Sequence, residues 1–412
     1  MMPVWRERHR CKHGPILLLL LASCGEAGAR PDLSSVRDSA GVTIIDNVFP
    51  DSADVRWWAI ETVPLLDIGG AEAEEAQSLF QVGDARRLAD GRIVVTNGGA
   101  GDVRYYAAGG AHIRTTGRRG DGPGEFQRPG SILLLPGDSI LVVERFGGRA
   151  SVLDPDGSFA RDFRMGADGP GVGVVARLGD GSFVATRVSF APGDVSDGLQ
   201  RQRVTLVTLG ADGTVIDSVV TLPGAERVIH LSGSAGALTS VEIRTPPFAR
   251  STVFAARGDE IFAGTQDSPQ IDVYDTDGSL RRIVRTGAPM ETVTPEHIGA
   301  WIERVYANAP PEIREQHRGR RDDPNAGEAV PPYSALEIDD AGNLWVADYD
   351  DRIDPAGGWS IHDAEGRLVA RIRLPARFRP FHIGNDFILG VLPDDLDVEH
   401  IRLHRLLKHD ER

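Results

Sequence analysis

At 412 residues the chain exceeds the ~250–300 at which one hydrophobic core stops growing, so its apolar interior must be divided among several units. Hydrophobic residues at 41% and charged residues at 25% exclude a disordered chain. A net charge of −15 argues against nucleic acid as a partner, since an acidic body repels a polyanion.

The first segment, residues 1–23, is a targeting sequence: Arg6, Arg8, Arg10 and Lys12 precede a short apolar run, Ile16 to Leu21, too short to span a bilayer. It runs into Leu21-Ala22-Ser23-Cys24, which resembles the lipobox of bacterial lipoproteins. That resemblance implies acylation of Cys24, removal of residues 1–23 and a cell-envelope location, with Gly25 after the Cys pointing towards the outer membrane. With Cys11 removed, Cys24 has no partner for a disulfide. Residues 24–40 are polar and turn-rich and read as a tether.

From Val42 onwards β-branched runs alternate with turns in two series. The first is LADGRIVV at 88–95, LPGDSILVV at 135–143, LGDGSFVA at 178–185, ARGDEIFA at 256–263, DDAGNLWVA at 339–347 and IGNDFILG at 383–390. The second places Gly at 110, 157, 213, 278 and 366. Such Gly-containing turns supply the positive φ of tight hairpins, and four strands per repeating unit is the pattern of a β-propeller. The spacing therefore predicts an all-β, six-bladed β-propeller over 41–412 with four-stranded blades. The sixth blade runs out of chain before its outer strand, and RWWAIETVPLLDIGG, from Arg56, is placed to supply it and close the ring.

One stretch breaks the β pattern. Thr294-Pro295-Glu296 is a helix start, and Ile298, Trp301, Ile302 and Val305 fall on one face, so a helical insertion is expected at 290–332. Its continuation from Arg314 to Pro332 is polar and expected to be mobile, and the whole is expected to lie over the functional face.

The run GPGEF, Gly122 to Phe126, followed by ILVVE and RASVLDPDG, resembles NHL-type repeats, and 41–408 resembles the lipid-anchored six-bladed β-propeller proteins of bacteria. The resemblance implies architecture rather than an activity.

Antiparallel strands put both tight-turn series on one face and every irregular connection on the other, where propellers carry their ligand sites. That loop face holds GRRGDGPGEF with Arg118 and Arg119, the helix with Trp301, and the acidic loop with Asp348, Asp350, Asp351 and Asp354. Aligning the second strands of the units puts Asn97, Glu144, Arg187, Thr265 and Asp348 at one position. They form either a polar ring for a ligand or a set of caps on their own following turns.

Recognised catalytic patterns are missing. D-x-D-D-x-x-D lacks the Gly and terminal Glu of a calcium loop, there is no HExxH, and Ser232-Gly233-Ser234-Ala235-Gly236 lacks the first Gly of a nucleophile elbow and reads as a loop. No cofactor is expected. The function that follows is a lipid-anchored extracytoplasmic scaffold binding a protein, peptide or glycan through its loop face. The alternative is a lactonase- or lyase-like propeller enzyme, for which Asn97, Glu144 and Asp348 would have to hold a divalent metal.

Overall fold

Ten of the eleven turn glycines adopt a positive φ, as at Gly91 (89°) and Gly157 (83°), which only a residue without Cβ takes up freely. In this computed structural model the described residues are Met1, 33–49, 55–70, 74–146, 148–166, 172–189, 196–234, 237–307, 309–318, 323–349 and 357–408. Residues 2–32, which take in the expected targeting segment apart from Met1 and include Cys24, and Asp350, Asp351 and Asp354 lie outside them.

Between the turns, strands pair antiparallel in chain order. Sheet I is Val82–Arg87, Ile93–Asn97, Asp102–Tyr106 and His112–Thr116. Sheet II is Pro129–Leu134, Ile140–Glu144, Arg149–Leu153 and Phe159–Arg164. Sheet III begins with Val172–Arg177 and Phe183–Ser189. It continues through the long strands Gly198–Leu209 and Val215–Ser234, with Ala237–Arg244 as a fifth. Sheet IV contains Val253–Arg257, Glu260–Gly264, Gln270–Asp275 and Leu280–Arg285. Sheet V contains Ala335–Ile338, Leu344–Ala347, Gly358–His362 and Leu368–Arg373. Sheet VI is Arg379–Ile383, Phe387–Pro393 and Glu399–Leu407.

The second strands of sheets I, II and V, IVVTN, ILVVE and LWVA, are buried along their whole length. A strand covered on both faces has no use for alternation, which is why these runs are continuously apolar. Each face packs on the next sheet. Val94, Val103 and Tyr105 of sheet I meet Ile132, Ile140 and Val142 of sheet II. Leu141 and Val143 meet Phe183 and Ala185 of sheet III. Further clusters join III to IV, IV to V, and V to VI. A last one joins Leu389, Val391 and Ile401 of sheet VI to Val82, Ile93 and Val95 of sheet I.

The N-terminal segment completes sheet VI. Ala59–Ile60 and Leu66–Gly69 both pair antiparallel with Glu399–Leu407, in the register Ile68↔Ile401 and Ile60↔Leu406. Leu66 and Ile68 are buried in the cluster between sheets VI and I.

Three expectations need correction. Residues 24–40 are not all tether: Ser34–Ser39 is a strand paired with Val42–Asn47, which adds in parallel to Leu280–Arg285 at the edge of sheet IV. Its sequence, SSVRDS, carries no apolar signal because the strand is exposed and held by backbone pairing with polar bonds from Ser34 to Asn47 (2.6 Å) and Arg37 to Asp46 (3.1 Å). The polar stretch after the first helix is not featureless either. Pro295–Val305 is followed by a second helix, Pro311–Arg318, and residues from Asp323 onwards are anchored. Arg244 forms a 2.8 Å ion pair with Asp323, and Gly327 N–H donates to the Pro247 carbonyl at 3.0 Å. Ser232 to Ser234, read as loop, belongs to the end of Val215–Ser234. The extra length of sheet III is therefore a three-stranded ribbon as well as a connection.

Candidate functional site

The register puts three of the five expected residues at equivalent places, Asn97 opposite Val82, Glu144 opposite Pro129 and Arg187 opposite Val172, with Val391 opposite Arg379 in sheet VI, while Thr265 and Asp348 lie one residue past their strands. Their chemistry differs from both alternatives. Asn97 is buried, and its Oδ1 accepts from Phe80 N–H at 2.9 Å, two residues before the first strand of its sheet. Glu144 does the same in sheet II, accepting from Gln127 N–H at 3.2 Å and from Arg149 Nη2 at 2.6 Å. These side chains brace the incoming connection rather than cap the following turn.

In sheet IV the bracing group is one residue beyond Thr265. Gln266 Oε1 accepts from Ser251 N–H at 2.7 Å, again two residues before the first strand, and Gln266 Nε2 donates to the Tyr333 carbonyl at 2.6 Å. Gln266 is buried at φ 64°, and this left-handed residue is the shift that the alignment of EIFAGT could not reveal. Thr265 offers its carbonyl to Arg201 Nη2 at 2.8 Å. Asp348 is paired with Arg371, and Arg187 is exposed. Asn97, Glu144 and Asp348 are thus each engaged within their own sheet. Among the described residues no three His, Cys, Asp or Glu side chains come together as metal ligands.

The Gly-rich connection is held by its own side chains. Glu125 accepts from Gly122 N–H at 3.0 Å and from Arg118 Nε at 2.8 Å, and Phe126 is fully buried beneath it. Arg119 Nη2 donates to the Gly99 carbonyl at 2.6 Å, tying the connection to sheet I. Both arginines are exposed, Arg118 with its side chain 81% open to solvent.

The helix seats on the loop face as its apolar stripe requires. Thr294 caps it in a reciprocal pair with His297, and Ile298 and Ile302 are buried against Phe248. Phe248 comes from the connection between sheets III and IV, and Tyr349, 5.9 Å from its ring, from the loop of sheet V. Trp301 lies half-buried at the edge of this cluster, 6.3 Å from Tyr306, and Val305 is exposed.

Where the first strands converge, four charged groups act on one another. Asp84 is buried, accepts from Ile132 N–H of sheet II at 2.8 Å, and pairs with Arg86 at 3.0 Å. Burial nevertheless outweighs Arg86 and pushes its carboxyl up. Glu337 of sheet V is pushed up to about 7 by burial, drawn back by Arg86 and raised further by Asp84. Arg379 of sheet VI is pushed down by burial, with Glu399, Arg145 and Asp84 acting on its charge. Sequence gave no signal for this cluster, because its members come from three strands whose charged residues look like ordinary surface positions.

A consequence follows for pH. Folded Glu337 titrates near 7 against an ordinary 4.5, so between these values the folded state keeps a proton that the unfolded chain has lost. Stability from this group is present below pH 4.5 and is lost as pH rises through 7. His362 acts in the opposite sense: burial pushes it down to about 4 from 6.5, so its contribution is lost as pH falls through that window. Glu337→Gln should flatten the fall in melting temperature between pH 5 and pH 8 while leaving the acid-side loss in place. An unchanged alkaline slope in the variant would show that Glu337 is solvated.

No family model matches this chain, and no curated protein does. Solved structures do. An exported protein, so described only putatively, from Bacteroides fragilis aligns at TM-score 0.50 and 13% identity, covering 86% of this chain and all (100%) of its own. The chain is a β-propeller. Two further propeller-like structures align less well. One is a member of the DUF4221 family from Bacteroides vulgatus, at TM-score 0.48, 10% identity, 85% of this chain and 99% of that one. The other is the calcium-binding protein regucalcin from Agrobacterium tumefaciens, at TM-score 0.42, 12% identity, 87% of this chain and 98% of that one.

Proposed function

We propose that this propeller is a lipid-anchored extracytoplasmic binding scaffold, six-bladed and closed by its N-terminal strands, that presents its loop face to a protein, peptide or glycan. Six sheets, each packed on the next, and the pairing of Leu66–Gly69 with Glu399–Leu407 support the blade count and closure. The anchor rests on Cys24 and the residues that precede it, and Gly25 after the Cys favours the outer membrane.

The observation that carries the binding role is which large aromatic side chains remain open on the connections. Phe80 (64%) and Phe146 (68%) belong to the connections of the loop face, with Val305 (50%) of the insertion and Ile243 (52%) of the ribbon beside them in the chain's irregular segments. Exposed aromatic and aliphatic groups of this kind are what an interaction surface on that face would use.

Two experiments test this reading. Cys24→Ala should move the protein from the membrane pellet to the soluble or unprocessed fraction; a variant that is still processed and pelleted refutes the lipid anchor. For the face, Thr292 and Ala329 already pair as a bridge, so a short Gly/Ser linker can replace the chain between them without moving the blades. That replacement, or Phe80→Ser with Phe146→Ser, should cut capture of envelope partners at least tenfold while the β spectrum is unchanged. Capture that survives both would rule out the loop face.

A further inference from the structure

At the loop-face end of the first strands, sheets I and II meet backbone to backbone. A Cβ added at Gly83 would lie 2.7 Å from the Gly130 carbonyl oxygen, and one added at Gly130 would lie 3.3 Å from the Arg145 nitrogen. Three arginines surround this contact. Arg145 follows the second strand of sheet II, and its N–H donates to the Arg128 carbonyl at 3.0 Å. Arg379 opens sheet VI and donates from Nη2 to the carbonyl of Val82, next to Gly83, at 2.8 Å.

Among the described residues none of the three guanidinium groups has an ion pair, whereas Arg104, Arg149 and Arg250 are each paired with a carboxylate. The acids nearby are already engaged. Glu144 holds Arg149 and Gln127 N–H, Glu399 takes Val82 N–H at 2.8 Å, and Asp84 holds Arg86. Arg145 is exposed, and its charge acts on Arg379. Burial pushes Arg379 down, Glu399 and Asp84 hold it up, and Arg145 pushes it down again. Like charges brought together from two sheets cost stability, and a bound anion offsets that cost.

The independent sign is how the guanidinium groups are held. Arg128 lies over the Phe146 ring at 5.7 Å, and Arg379 over the Phe381 ring at 4.8 Å. Stacking uses the flat face of a guanidinium, while its N–H donors lie in the plane and stay open. That is the arrangement which takes an oxyanion through two parallel hydrogen bonds. Apolar surface adjoins it on both sides. Phe146 is exposed, and so is Phe80, whose carbonyl accepts from Gly99 N–H at 2.7 Å. A Cβ added to the neighbouring Gly98 would lie 3.6 Å from Arg128 Cγ.

We propose that Arg128, Arg145 and Arg379 bind an oxyanion, a carboxylate or phosphate group of a ligand whose organic part lies on Phe80 and Phe146. This rests on the loop face being the binding face, and names the chemical group by which that face selects. Glu337 and the Asp84–Arg86 pair lie further along the first strands and offer an anion no net positive charge, so it stays at the strand ends.

The test is calorimetric titration of the full chain in detergent with citrate and, separately, with pyrophosphate. Saturable binding should appear at low salt, weaken as salt rises, and raise the melting temperature. It should fall at least tenfold in Arg145→Gln and in Arg128→Gln. Neither side chain holds a hydrogen bond among the described residues, so melting without ligand should be unchanged. Arg145→Lys, which keeps the charge but loses the fork, should recover only part of the loss. Arg367→Gln, the same charge change at an exposed residue beside the tight turn at Gly366, should leave binding intact. Tighter citrate identifies a carboxylate ligand, and tighter pyrophosphate a phosphate. No saturable binding of either anion, or a loss in Arg367→Gln equal to that in Arg145→Gln, would overturn the proposal. If anion binding is absent while Phe80→Ser with Phe146→Ser still cuts envelope capture, the oxyanion site fails and the loop-face scaffold stands. If anion binding depends on Arg145 while capture is indifferent to those rings, the site stands and the scaffold reading fails.

Discussion

Trp345→Ala should lower the free energy of unfolding by about 3–5 kcal/mol, the range found when a large buried aromatic is emptied from a core. Trp345 is fully buried between sheets V and VI, with Trp58 at 5.9 Å and Trp359 at 6.3 Å, both edge-on. Its Nε1 donates at 3.0 Å to Asp339, whose carboxylate also takes Asn343 N–H and Nδ2, each at 2.8 Å. The substitution therefore opens a cavity walled by paired strands that cannot collapse and removes one donor from a buried acceptor. Trp345→Phe keeps most of the volume and should lose much less. Urea unfolding followed by circular dichroism measures both. A loss under about 1 kcal/mol for Trp345→Ala would mean that the two sheets close over the gap.

A chain beginning at Glu74 should lose single-step unfolding, with sheet VI opening before the rest. Starting there removes Leu66 and Ile68, whose burial is worth about 1.5–3 kcal/mol each, and exposes Glu399–Leu407 as an unpaired edge. A chain beginning at Val55 is the control. It loses the Ser34–Ser39 and Val42–Asn47 hairpin and with it Asn47, whose amide bridges Arg285 of sheet IV to Gly366 in sheet V at 2.9 and 3.0 Å. That should lower the midpoint yet preserve one transition, since sheets IV and V still pack through Val273, Phe262 and Leu344. Hydrogen exchange over 379–407 distinguishes the two. Equal protection there in both chains would refute the role assigned to the N-terminal strands.

Much of the architecture was legible in the chain because its turns are local. A Gly at positive φ and an adjacent Asp or Asn fix a hairpin whatever surrounds it, so the two turn series marked the strand pairs of each sheet. The helix was legible for the same reason: Thr294 and Pro295 act within one turn, and the stripe Ile298, Ile302 needs only a surface to cover it. Local rules did not reach Ser34–Ser39, an exposed strand with no apolar periodicity, or the anchoring of 323–332, which depends on Arg244 and Pro247 far away in the chain.

The candidate site was less legible than the fold. Sequence alone determined that Asn97, Glu144, Arg187, Thr265 and Asp348 occupy comparable strand ends, because strand length and turn spacing set that position. Only the tertiary structure decided that Asn97 and Glu144 are spent on the backbone N–H groups of Phe80 and Gln127, and that Gln266 replaces Thr265 in that role. It also decided that Asp84, Arg86, Glu337 and Arg379 share one electrostatic environment. The physical reason is range. Backbone conformation is set by neighbours a few residues away, whereas the partner of a side chain, and the solvent it loses, are set by segments hundreds of residues apart in the chain.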